Sequence, residues 1–139
     1  MQWTADANVG FTAEGVETWL PVHSNHTTVN VQAQEQDPRS TLHFYQDLLA
    51  IRRQSSALLG GSIGFLDDLG TDILAYLRES ADERCLVLIN FGGNAHRLDL
   101  SAVADQAVCL LNSAMQPYAV DSIAEVSLLP YQSLLLKLN

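Results

Sequence analysis

The stretch Asp37-Pro38-Arg39-Ser40-Thr41-Leu42-His43-Phe44-Tyr45-Gln46-Asp47-Leu48-Leu49-Ala50-Ile51-Arg52-Arg53 constrains the fold of this chain more than any other. Asp37 suits a helix N-cap, where its carboxylate accepts a backbone N–H from the first turn. Pro38 suits the first helical position, where a missing N–H costs nothing. Leu42, Tyr45, Leu48, Leu49 and Arg52 follow at steps of three and four, so one helix face is apolar. Phe44 and Ile51 flank that stripe and broaden it, as expected of a helix packed on two bodies at once. Arg52 and Arg53 complement the C-terminal end of the helix dipole, and Gly60-Gly61 stops any continuation.

This helix divides two unlike halves. Residues 1–36 carry Trp3, Phe11, Val16, Trp19, Leu20 and Val22 with neither a helical nor a strand period. Structureless loops of this length are uncommon in compact domains, and large aromatics need something to lie on. The segment therefore reads as an ordered loop draped over another body. Beyond Gly61 the pattern turns to short apolar runs. Ser62–Leu66 and His96–Leu100 are strand candidates, as are Ala107–Asn112, Glu125–Leu128 and Tyr131–Leu138. Ile73–Glu79 and Arg84–Phe91 flank Ser80-Ala81-Asp82-Glu83 as a hairpin. Leu86-Val87-Leu88-Ile89 is apolar at every position, which predicts a strand covered on both faces. The expected fold is mainly β: an antiparallel Greek-key β-sandwich preceded by an irregular loop and one amphipathic α-helix.

Composition excludes several roles. An apolar fraction of 47% with 17% charged residues is globular. A net charge of −9 opposes phosphate backbones and anionic bilayers, so neither nucleic acid nor membrane is an expected partner. No apolar run approaches the ~20 residues of a membrane span, and no basic leader is visible, which places the expected location in the cytoplasm. Cys85 and Cys109 both sit in apolar runs and read as buried reduced thiols.

MQWTADANVGF, then WLPV, then DPRSTLHFYQDLLAIRR resemble the end of the catalytic barrel of glycoside hydrolase family 13, on its α-glucosidase and oligo-1,6-glucosidase branch. ILAYLRESADERCLVLINFGG and LLPYQSLLLKL are similar to that family's C-terminal β-sandwich, domain C. Thr4 departs from the acid that commonly follows MQW. The resemblance implies three regions. Residues 1–36 correspond to the loop joining the eighth barrel strand to the eighth helix, residues 37–59 to that helix and a connector, and residues 60–139 to the sandwich.

Retaining glycoside hydrolysis needs two carboxyl groups about 5–5.5 Å apart across the sugar. The family carries them on earlier barrel strands, and none of those motifs occurs here, so no catalytic residue is expected. Glu35 with Asp37, and Asp67 with Asp68, read as acids at caps and turns. His23 and His26 lack a helical pattern and a third ligand, so no metal is expected, and no cofactor motif is present. In a barrel enzyme the strand-to-helix loops build the site. Gln2, Trp3, Asn8 and Phe11 are therefore candidates for touching sugar in a complete enzyme.

The expected function is the structural C-terminal region of an α-glucosidase-like hydrolase acting on oligosaccharides, inactive alone. The expected partner is the catalytic barrel, from the same gene or a separate chain. Without it, a homodimer through Leu42, Tyr45, Leu48 and Leu49 is expected. The alternative is a stand-alone carbohydrate-binding or interaction β-sandwich module.

Overall fold

A computed structural model describes all 139 residues, in two compact units, Met1–Gln46 and Asp47–Asn139.

The first unit is turns through residue 29, followed by α1 (Val31–Gln36) and the first turns of α2 (Thr41–Gln54). The irregular reading of residues 1–36 therefore fails at its last six. Asn30 makes that helix. It is 2% exposed, its Oδ1 accepts the Ala33 N–H, and its Nδ2 donates to the His26 carbonyl at 2.7 Å. The N–H groups of Val31 and Gln32 donate to the carbonyls of Gln2 and Trp3. The orphan donors of the first turn are thus satisfied by the start of the chain. VQAQEQ buries no residue, so it leaves no apolar period to read.

The main helix begins later than Asp37. Asp37 closes α1 as its C-cap, and its Oδ1 accepts the Arg39 N–H at 2.9 Å. Ser40, 7% exposed, caps α2 instead. Its Oγ accepts the His43 N–H at 3.3 Å and donates to the Gln34 carbonyl at 2.8 Å. Two cap-forming residues lie within four positions, and the contacts to Gln34 decide between them.

The second unit holds the rest of α2, the short α3 (Ser56–Gly60) and seven antiparallel strands: β1 (Ser62–Leu66), β2 (Ile73–Glu79), β3 (Arg84–Asn90), β4 (His96–Leu98), β5 (Ala107–Asn112), β6 (Val126–Leu128) and β7 (Ser133–Leu138). One sheet runs β1-β2-β3-β7-β5, and the other is the pair β4-β6. After β3 the chain crosses to the small sheet, returns for β5, crosses again for β6, and comes back to place β7 between β3 and β5. This is the Greek-key sandwich the strand spacing predicts.

Register sorts the side chains. Leu86 and Leu88 of β3 stand opposite Leu136 and Leu134 of β7, and these four pack in one core with Leu98, Leu100, Val126 and Leu128. Each such burial contributes roughly 1.5–3 kcal/mol. The alternate residues Cys85, Val87 and Leu135 face the other way, against Ala57, Leu58 and Ile51. The all-apolar run in β3 is therefore covered on both faces.

Two polar arrangements hold the ends of the large sheet. At one end Asn90, Asn112 and Gln132, all buried, tie strand ends to loops. Gln132 Nε2 donates to Asn112 Oδ1 at 2.8 Å, its Oε1 accepts the Leu129 N–H at 2.7 Å, and Asn90 Nδ2 donates to the carbonyls of Asn94 and Leu129. At the other end Glu83 reaches from the β2–β3 turn to the start of α3. Its Oε2 accepts from Ser55 Oγ at 2.6 Å and the Ala57 N–H at 3.2 Å, and Lys137 Nζ lies 3.3 Å from Oε1. The Ser55 hydroxyl foremost, with the Ala57 N–H and Lys137, holds the Glu83 carboxyl below its ordinary value against the opposing effect of burial.

Candidate functional site

The four candidate loop residues lie in one short, internally bonded turn system. Trp3 N–H donates to the Val9 carbonyl, and Phe11 N–H to the Asn8 carbonyl. Asn8 Nδ2 donates to the carbonyls of Ala13 at 2.7 Å and Val16 at 3.1 Å. Its amide therefore shapes the loop. Gln2 Nε2 donates to Asn25 Oδ1 at 2.9 Å. Both amides spend donor capacity inside the loop, while the rings of Trp3 and Phe11 stay 54% and 50% exposed.

The turn demands glycine at position 10. Its φ is +77°, and a Cβ there would lie 2.8 Å from Trp3 Cβ. Val9 before it also has positive φ, at 46°, and is fully buried. A β-branched residue in that region is strained, so the loop around Trp3 is held by its surroundings and not by local preference.

A cavity of about 470 Å³ opens on this loop, lined by Asp6, Asn8, Gly10, Thr12 and Glu14 among others. Of the four candidates only Asn8 lines it. Asp6 and Glu14 also line it, and neither has a spacing signature in the sequence. Their position is fixed by the turns at Gly10 and Gly15, at φ +77° and +79°.

Of the remaining polar candidates, the two histidines bond within their own loop and the paired acids face solvent. Asp67 and Asp68 are exposed, Asp68 with φ +66°. His23 Nδ1 lies 2.7 Å from Asn25 Oδ1, and His26 Nδ1 lies 3.1 Å from the His23 carbonyl. No group of three or more His, Cys, Asp or Glu is placed to hold a metal ion. Cys85 and Cys109 are free, and burial pushes both thiols up, which opposes the nucleophilic thiolate. No helix is long and apolar enough to cross a membrane.

Comparison with known proteins gives the context. Residues 1–61 match the family described as the alpha amylase catalytic domain, and residues 63–135 match the maltogenic amylase C-terminal domain. An alpha-glucosidase of Schizosaccharomyces pombe is 31% identical over 146 residues, covering 99% of this chain and 24% of that protein. A mouse (Mus musculus) amino acid transporter heavy chain is 36% identical over 132 residues, covering 89% of this chain and 19% of that one. The crystal structure of a trehalulose synthase from Pseudomonas mesoacidophila superposes with a TM-score of 0.83 at 31% identity, over 99% of this chain and 24% of that chain. This chain thus spans a quarter or less of the length of these relatives.

Proposed function

The chain belongs to the α-amylase family, glycoside hydrolase family 13, matching the end of its catalytic domain and its C-terminal β-sandwich. From that premise we propose that it serves as the structural C-terminal region of an α-glucosidase-like hydrolase. That enzyme cleaves α-glucosidic bonds of oligosaccharides with retention, and this chain alone is inert. The observation that carries the reading is the consecutive match of residues 1–61 and 63–135 to two parts of one enzyme family. In the complete enzyme Trp3 and Phe11 offer ring faces to sugar, while Gln2 and Asn8 set the loop that presents them. The free thiols of Cys85 and Cys109 suit a cytoplasmic setting.

The test is an assay of the 139-residue chain with an aryl α-glucoside. No turnover above buffer is expected. Turnover that survives repurification from a host lacking α-glucosidases would sink the inert reading.

The partner in this reading is a catalytic barrel, and the apolar stripe of α2 is where its absence shows. Tyr45 and Leu49 are 58% and 48% exposed, and α2 buries no residue. Exposed apolar stripes of this kind drive association, so the free chain forms a homodimer through Leu42, Tyr45, Leu48 and Leu49. Sedimentation equilibrium is expected to give a dimer that Leu49→Lys converts to monomer. A monomer before the substitution contradicts this.

One observation favours a second reading, an interaction or carbohydrate-binding module without hydrolase chemistry. The mouse relative matching 89% of this chain is named as a transporter heavy chain. Titration calorimetry with maltotetraose separates a sugar-binding module from the first reading, which predicts no heat.

A further inference from the structure

We propose that Asn25 is a positioning residue: it orients the Gln2 side-chain amide so that the free edge of that amide meets a substrate hydroxyl. This rests on the reading that the chain works as part of a complete glucosidase.

The contact joins the two ends of the loop. Gln2 stands at the start of the first unit and Asn25 lies 23 residues further on, yet Gln2 Nε2 donates to Asn25 Oδ1 at 2.9 Å. The main chain around Gln2 is already held. Its carbonyl accepts the Val31 N–H at 3.0 Å, and the Trp3 carbonyl accepts the Gln32 N–H at 3.0 Å. The Trp3 N–H donates to the Val9 carbonyl at 2.9 Å. What the backbone leaves variable is the direction of the long Gln2 side chain, whose terminal torsion is broad when nothing fixes it.

Asn25 can fix it because Asn25 is itself held. His23 Nδ1 lies 2.7 Å from the same Oδ1. The Asn25 carbonyl accepts the N–H groups of Thr28 at 3.0 Å and Val29 at 2.8 Å, and the Thr28 hydroxyl at 3.2 Å. This turn is tied to α1 through the buried Asn30, whose Nδ2 donates to the His26 carbonyl at 2.7 Å. Asn25 thus passes the fixed position of the α1 cap on to Gln2.

The Gln2 amide has capacity left over. A primary amide offers two N–H donors and an acceptor oxygen. The bond to Asn25 takes one N–H and leaves Oε1 and the second N–H without a partner in the chain. Gln2 is only half-buried, so another molecule can reach that edge. A hydroxyl both donates and accepts, and adjacent hydroxyls of a glucosyl unit therefore match an amide edge held in one orientation. Asn8 does not offer the same, since its Nδ2 already serves the carbonyls of Ala13 and Val16. Asn25 is exposed, so replacing its side chain removes the orientation of Gln2 and little packing.

The experiment grafts this whole chain onto the Schizosaccharomyces pombe alpha-glucosidase in place of its matching part, and follows maltose hydrolysis. The graft is expected to be active. Asn25→Leu, which removes the acceptor, raises KM about three- to tenfold with kcat retained, the effect of one neutral hydrogen bond made equally in ground and transition states. Asn25→Asp, which keeps the acceptor, stays near the parent. Gln2→Leu matches Asn25→Leu, and the double variant is no worse than Gln2→Leu alone, because the two residues act as one unit. Half-lives of thermal inactivation stay close to the parent's throughout. An unchanged KM in Asn25→Leu overturns the proposal. So does Asn25→Asp as impaired as Asn25→Leu, a double variant in which the two losses multiply, or a KM that rises only as the half-life shortens, which marks a merely structural contact. In each of these cases the graft is active and the functional reading stands. An inactive graft overturns the functional reading and the proposal with it.

Discussion

Gln132→Leu is expected to remove about 2–4 kcal/mol from the stability of the sandwich. That would be a large share of the roughly 5–15 kcal/mol available to a domain. Gln132 is 4% exposed and bonds in two directions, from Nε2 to Asn112 and from the Leu129 N–H to Oε1. Leucine fills similar space and bonds to neither. The Leu129 N–H then loses its acceptor at a partly buried site. Asn112 Oδ1 keeps only the Ala114 N–H. The stranded Leu129 N–H costs about 1–3 kcal/mol, and the lost bond to Asn112 adds about 0.5–1.5 kcal/mol, which together bracket the stated range. The position is sensitive for a further reason. Tyr131, immediately before it, has φ +56°, an unfavourable conformation for a bulky residue. The Gln132 contacts are what hold the chain in that turn. Urea denaturation followed by circular dichroism gives the measurement. The midpoint should fall with little change in slope, and Gln132→Glu should fall further, because it buries a charge and loses the donor to Asn112. A loss below about 0.5 kcal/mol for Gln132→Leu would place Gln132 among ordinary surface residues.

The same residue marks the limit of what the sequence reveals. LLPYQSLLLKL reads as a closing strand because its apolar run is legible, and the hairpin around Ser80–Glu83 reads equally well from the alternation of turn and strand residues. β2 runs Ile73–Glu79 and β5 Ala107–Asn112 in the structure, at the bounds the patterning predicts. Apolar periodicity is a local signal, and strands follow it. Asn90, Asn112 and Gln132 are separated along the chain, and nothing local distinguishes a buried amide from a solvated one. The helix start shows the same limit over a shorter distance. Asp37 reads as the cap from sequence, whereas the contacts of Ser40 and Leu42 with Gln34 start the helix at Ser40. In the loop, Trp3 and Phe11 are candidates because strand-to-helix loops build a barrel enzyme's site and aromatic faces suit sugar rings, and both remain exposed. Asp6 and Glu14 entered only once turns at left-handed residues had curled the chain around a cavity. The exposure of Ile63 and Phe65 on β1 is likewise invisible to periodicity, which says which residues share a face and nothing of which faces are covered.

Glu83→Gln is expected to cost about 1.5–3 kcal/mol at neutral pH, and the cost should shrink on acidification. Glu83 is read from sequence as a turn residue, yet its side chain retains only 13% of its exposure and joins three elements. Glutamine keeps one acceptor oxygen for Ser55 or Ala57 and loses the charge facing Lys137, and bonds to a charged group are worth about that range. The pH dependence follows from the direction in which the carboxyl is shifted. Its folded-state value lies below the ordinary 4.5, chiefly because the Ser55 hydroxyl donates to the ionised form. The unfolded chain therefore takes up the proton first as pH falls. The contribution is complete above the unfolded value and is lost as pH drops through the lower, folded value. Wild type and Glu83→Gln should thus differ most at pH 6–7 and converge below about pH 4. Absolute stability is a poor readout here. The chain carries a net charge of −9, and protonating its other acids relieves repulsion over the same range. The difference between the two proteins cancels that background. Paired melting curves from pH 7 to pH 3 measure it, with Ser55→Ala as the companion variant. That variant should reproduce much of the loss and also release the Leu58 N–H, which donates to Ser55 Oγ at 3.1 Å. A gap between wild type and Glu83→Gln that stays constant or widens toward pH 3 would mean that the ionised carboxylate is not what braces α3 to the sheet.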